Sequence, residues 1–132
     1  MRLWHQRLIN KLPRGQLLGQ HRECCALRGK GWGRKHSTVD YVFAYRIERL
    51  VAFHLLVMEE MKKRGYNVSG EWFDPCYRGK SLGSDSSINP DQAREIRVKE
   101  DLIYPEHDRE YLRVCLQNLL EKGAVCRYFE GV

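Results

Sequence analysis

The 132-residue sequence predicts an all-α protein, one compact domain of three main helices joined by long loops. Three observations predict it. Apolar residues recur at helical spacing in three separate runs, no stretch shows convincing strand alternation, and the prolines and most glycines fall between the runs. A chain of this length buries a core without staples, and 42% hydrophobic with 30% charged residues is ordinary for a globular domain spanning 1–132.

The first helix opens at Pro13, whose missing N–H costs nothing in a first turn, and runs to the Gly-Lys-Gly-Trp-Gly segment that begins at Gly29. Leu17, His21, Cys24 and Arg28 share one stripe of it. Gln16, Gly19, Gln20 and Glu23 share another. Gly19 lets either a ligand or a second helix approach one turn before Glu23. Residues 29–45 read as a basic, glycine-containing loop followed by Tyr41-Val-Phe43-Ala-Tyr45. A second helix runs from about Arg46 to Arg64 and stops at Gly65; Ile47, Leu50, Val51, His54, Leu55, Met58 and Met61 form its apolar face. His54 is expected to be a buried, hydrogen-bonded residue there rather than a catalytic one. Residues 67–105 are the least regular part, with one short helix after Pro90, through Gln92–Glu100. A loop region of this length in a small domain is often functional. The third main helix follows Pro105, carries Tyr111, Leu112, Cys115, Leu116, Leu119 and Leu120, and ends at Gly123.

Several classes are excluded. No apolar run approaches the roughly 20 residues that span a bilayer, and Met-Arg-Leu-Trp-His has no signal-peptide character, so a cytoplasmic, nucleoid-associated protein without membrane contact is expected. The five cysteines, Cys24, Cys25, Cys76, Cys115 and Cys126, are odd in number and form no Cys-x-x-Cys pair. His21-Arg-Glu-Cys24-Cys25 resembles a metal half-site, but no second half-site follows at usable spacing. Neither metal nor cofactor is expected, and the thiols fill helix faces.

Charge is the informative feature. The first 36 residues hold nine lysines and arginines and one acid, Glu23, for a net +8, while the remaining 96 carry −2. A segment this basic suits a polyanion, phosphate above all. A lone carboxylate in that field is placed to do chemistry beside bound phosphate, although an Arg-Glu pair on a helix is more commonly solvated surface. Trp4, Trp32 and Trp72 are expected in the core, with a wedge or stacking surface for bases as the alternative.

Arg22-Glu23 on the first long helix after Gln16-Leu-Leu-Gly-Gln, the run Met61-Lys-Lys-Arg-Gly-Tyr-Asn-Val68, and Tyr104-Pro-Glu-His107 leading into a helix that ends Leu-Glu-Lys122 resemble the pyrimidine-dimer DNA glycosylase/AP lyase family of the phage endonuclease V type. The opening Met-Arg-Leu-Trp-His is similar to a bacterial branch of that family. The resemblance implies a DNA-repair glycosylase with AP-lyase activity, acting as a monomer on duplex DNA with a damaged or abasic site. An N-terminal α-amine would attack the sugar C1′ and form an imine, with Glu23 as the assisting carboxylate. An α-amine has a reference pKa of about 7.7–8.0, low enough to leave a neutral, nucleophilic fraction near pH 7. Arg22, Arg14, Gln16, Arg34, Lys35, His36 and Lys122 would hold phosphate or sugar.

The chain departs from the family at three places. The family's position 2 is small and becomes the terminus, whereas Arg2 blocks removal of the initiator and assigns the nucleophile to the Met1 amine. The arginine three residues after the family's glutamate is Ala26, and Arg28 lies about 200° further round the helix than Ala26. The DNA-gripping tail is reduced to Arg127-Tyr128-Phe129. A non-catalytic nucleic-acid-binding module of the same fold is the alternative that Arg2 and Ala26 favour; an enzyme on nucleotides or RNA is the third.

Overall fold

The computed structural model describes residues 1–99 and 101–123. They form four α-helices, α1 (Arg14–Arg28), α2 (Ile47–Lys63), α3 (Pro90–Val98) and α4 (Arg109–Glu121), and three 3-10 helices at Gln6–Lys11, Asp40–Ala44 and Gly70–Phe73. No strand occurs among the described residues, where an isolated antiparallel bridge joins Tyr77 to Ser84. None of their helices is long and apolar enough to cross a membrane. The class is all-α, as the periodicity predicts.

The three main helices are α1, α2 and α4. Pro13 caps α1 and Gly29 closes it, its N–H reaching Cys25 O at 3.0 Å. In α2, Leu50 to Leu55, Val57, Met58 and Met61 are all buried, so the helix is apolar nearly all round. Such a helix is interior, and α2 packs against α1, α3 and the first 3-10 helix. Gly65 closes it at φ +80°, a left-handed conformation that favours glycine, with Tyr66 N–H reaching back to Met61 O at 2.9 Å. The fourth helix starts later than expected because Asp108 caps it, accepting from Tyr111 N at 2.8 Å. Asn89 caps α3 in the same way, and Pro90 fills its first turn.

The 3-10 helix at Gln6–Lys11 was not foreseen, and its anchor is a knot of rings around His107. That ring is fully buried and stacks on His5 and Tyr111 at centroid distances of 5.5 and 5.1 Å, with Phe53, Tyr41 and Tyr104 within 6 Å. Its Nδ1 accepts the Gln6 amide at 3.1 Å, which leaves the proton on Nε2, facing Tyr41 Oη at 2.6 Å. Gln6 Oε1 accepts from Ile103 N at 2.8 Å, and the Tyr111 hydroxyl donates to Leu3 O. The N-terminal segment is therefore tied to α4 and to the loop before it.

Burial pushes the His107 pKa down to about 3, with the charge of neighbouring His5 acting in the same direction. The folded value lies below the unfolded value of about 6.5, so the unfolded chain takes up the proton first and stability is lost as pH falls through this window. One such group costs about 1.4 kcal/mol per pH unit. Between pH 6.5 and pH 5, urea unfolding should show a loss of about 2 kcal/mol from His107. A stability that does not change over that interval would contradict the buried neutral ring.

Candidate active site

Glu23 projects from the middle of α1, and the N-terminal segment lies across it. Its Oε2 accepts from the Arg2 amide nitrogen at 3.2 Å and from Gln20 Nε2 at 3.3 Å. Gln20 sits one turn earlier and is buried. Its Oε1 accepts Trp4 N at 2.6 Å while its Nε2 donates to Arg2 O at 3.0 Å. One carboxamide thus takes up a backbone donor and a backbone acceptor, as a neighbouring strand would, and holds the Arg2–Trp4 segment against the helix. On the other side the Thr38 hydroxyl donates to Met1 O, and the same oxygen lies 2.9 Å from His36 Nδ1. Having given its one proton to Met1, it accepts from His36.

Several residues proposed from the sequence gather at this end. Arg22 is exposed beside Glu23, and its guanidinium folds back over Gly19, where a Cβ would meet only Arg22 Nη2, at 3.7 Å. Gly19 therefore relieves no helix–helix contact and leaves open backbone. Exposed His36 reaches Met1 through Thr38. Lys122 Nζ lies 5.4 Å from the Trp4 ring centre, and the Arg2 guanidinium stands over the same ring at 5.9 Å. Met1 is 45% exposed.

The others are spread along α1 and the loop after it, or change role. Arg14, in the first turn of α1, stands over Tyr66 at 5.3 Å. Gln16 is half-buried on the same helix, and Arg34 and Lys35 are exposed on the loop beyond Gly29. That loop turns back sharply: Gly31 N–H reaches Ala26 O at 2.9 Å, and a Cβ at Gly31 would come within 2.7 Å of that oxygen, so only glycine fits. Arg28, one of the nine basic residues, is fully buried and unavailable to phosphate. The three tryptophans are packing residues: Trp4 is buried, Trp32 meets Phe43 edge-on at 5.1 Å, and Trp72 lies under the Arg28 guanidinium at 5.0 Å. Arg127-Tyr128-Phe129 and Cys126 lie outside the described residues.

Gln20, Thr38 and the backbone of Arg2 are the parts that sequence reasoning missed. For Gln20 the signal was present, since it shares a helix stripe with Glu23, over which the N-terminus is expected to fold, but nothing in the sequence says that its carboxamide would pair with the Arg2 and Trp4 backbone.

A family model described as pyrimidine dimer DNA glycosylase matches residues 1–74, which include α1, α2 and every residue of the Gln20–Glu23 arrangement. No curated protein and no solved structure matches the chain.

Gln20→Ala should leave Trp4 N–H and Arg2 C=O without partners, a cost of about 1–3 kcal/mol. The Trp4 amide should then exchange with solvent at least about 5-fold faster by NMR, at the conversion of roughly 1.4 kcal/mol per decade. Unchanged exchange would mean that the segment is held by its packing alone.

Proposed function

The chain belongs to the pyrimidine dimer DNA glycosylase family, and from that premise we propose that it excises a damaged pyrimidine from duplex DNA and cleaves the strand at the abasic site left behind, using its N-terminal amine and Glu23. The observation that supports this most directly is the 3.2 Å contact between the Arg2 nitrogen and Glu23 Oε2, which lays the terminal backbone against the sole acid of the basic first 36 residues.

The steps follow from those two groups. The amine lone pair attacks C1′, and the glycosidic bond breaks with its electron pair leaving on the base. The amine loses one proton, its lone pair then forms C1′=N as the C1′–O4′ bond breaks, and O4′ takes up a proton, which leaves a protonated imine on the opened sugar. The Glu23 carboxylate stabilises the cationic centre as it forms, then accepts a C2′ proton, and the electrons released expel the 3′ phosphate. Water hydrolyses the imine and restores the amine. C1′ becomes accessible when a nucleotide is flipped or the duplex kinked, which costs least at a damaged step. Arg22, Arg14, Gln16, Arg34, Lys35, His36 and Lys122 supply phosphate and sugar contacts. The protein works as a monomer, in the cytoplasm and on the nucleoid.

With Met1 in place the Arg2 nitrogen is an amide that only donates its hydrogen to Glu23, and the reacting amine is that of Met1, about 3.5 Å further along the chain. Removal of Met1 would make the Arg2 nitrogen itself the amine in contact with the carboxylate. The 3.2 Å contact favours that as the second possibility for the reacting nitrogen.

Glu23→Gln keeps size and hydrogen-bonding reach, so duplex binding should persist or tighten while turnover on damaged DNA falls about 100-fold or more. Acetylation of the terminal amine should stop strand cleavage and leave binding nearly unchanged. A Glu23→Gln protein that cleaves like wild type would instead fit a non-catalytic role for this site.

About five phosphate contacts should give a log–log salt dependence of affinity with slope about −4 to −5. Arg34→Ala and Lys35→Ala should each flatten it by about one unit, whatever the DNA sequence. Affinity insensitive to salt would assign the basic surface to something other than DNA.

A further inference from the structure

On the side of α1 that faces α2, three groups converge that the proposed reaction does not use. His21 and Cys25 lie one turn apart on α1, and His54 meets them from the middle of α2. His21 Nδ1 and His54 Nε2 are 2.8 Å apart, and Cys25 Sγ is 3.9 Å from each. The centre of that triangle is about 2.1 Å from all three atoms, within the range of Zn–N and Zn–S bonds, about 2.0–2.3 Å. We propose that His21, Cys25 and His54 bind a single divalent ion of the zinc class and so cross-link α1 to α2.

One thiolate and two histidine ring nitrogens suit a borderline-soft ion and not magnesium or calcium, which take oxygen ligands. His54 is fully buried while His21 and Cys25 are half-exposed, so a solvent molecule can complete a four-coordinate sphere from one side. The two ring nitrogens need to separate by only about 0.5 Å to span a tetrahedral ion.

Arg28 is the apparent obstacle, because its Nη1 lies 2.9 Å from His54 Nδ1. A guanidinium only donates, so Nδ1 accepts and, without metal, Nε2 carries the ring proton and donates it to His21 Nδ1. An ion at His54 Nε2 takes that proton's place, and one at Cys25 takes the thiol proton. The exchange is one M²⁺ in and two H⁺ out, with no change of oxidation state. The net charge around Arg28 is then unchanged. The His54 ring, deprotonated at Nε2, then lies between the metal and the guanidinium, which orients it by donating to Nδ1. None of this depends on the glycosylase chemistry, so the two can fail separately.

The test is titration of the full-length protein, stripped of metal with a chelator, with Co²⁺ alone. One equivalent should produce the visible bands of tetrahedral cobalt and a thiolate-to-cobalt charge-transfer band, with release of two protons into weakly buffered solution, and Zn²⁺ should bleach both bands. Cys25→Ser should lose the charge-transfer band, and His21→Ala should lose stoichiometric binding. These half-exposed positions are the ones to vary, since a His54 substitution would also break the Arg28 contact. Folding of each variant is checked by circular dichroism. No cobalt spectrum from the folded wild-type protein, or an unchanged spectrum in both variants, overturns the site.

Discussion

The arrangement of the basic end depends on the side-chain amide of Gln20. A terminal segment ordinarily frays, because nothing offsets the entropy of ordering it. Here its backbone finds a donor and an acceptor on one buried carboxamide, at 3.0 and 2.6 Å, and the third contact of that group is Glu23 itself. The same side chain therefore places the terminus and steadies the carboxylate. The other restraints on the segment, Tyr111 on Leu3 O and Thr38 on Met1 O, come from α4 and from the loop before the second 3-10 helix. Three parts of the chain converge on its first four residues.

A second pair of side chains fixes the irregular region. Arg28 donates to Trp72 O, Asp74 O and Tyr77 O, each at 2.9 Å, and to Pro75 O at 3.3 Å. Arg78 from that loop returns to Arg28 O at 2.7 Å and Gly29 O at 3.2 Å, while pairing with Asp85 at 3.2 Å. The two arginines interlock the end of α1 with residues 72–78. Burial brings the Arg28 pKa down to about 10, which leaves it charged at neutral pH. Its carbonyl partners and the Trp72 face accommodate that charge without a carboxylate in contact. This explains how a chain whose basic residues crowd its first 36 positions folds one of them into its interior.

The helices were legible because each announces itself locally. Pro13 and Gly29 bracket α1, Gly65 stops α2, and the Cys115–Leu119 spacing marks the buried face of α4. Glu23 stood out by charge contrast, and the family resemblance of Arg22-Glu23 gave it a role. The rest of the site was illegible because its partners are remote in sequence. Leu3 is bonded to Tyr111, Gln6 to His107, and Cys25 lies against His54. Arg28 misled in the same way. By composition it counts with the phosphate-binding residues, and only the carbonyls of an irregular loop, which no periodicity predicts, show it to be structural. His54 was read correctly as buried and hydrogen-bonded, since its place on the apolar face of α2 is itself a local fact.

The central claim is that the terminal backbone is laid against Glu23 so that its amine can react. The most direct measurement is borohydride reduction during reaction with an oligonucleotide carrying an abasic site, followed by mass spectrometry of the cross-linked peptide. The account predicts one adduct, on the α-amine of the N-terminal peptide, and the peptide mass shows whether Met1 or Arg2 bears it. An adduct on a lysine side chain, with Lys122 and Lys35 the first to inspect, would contradict it.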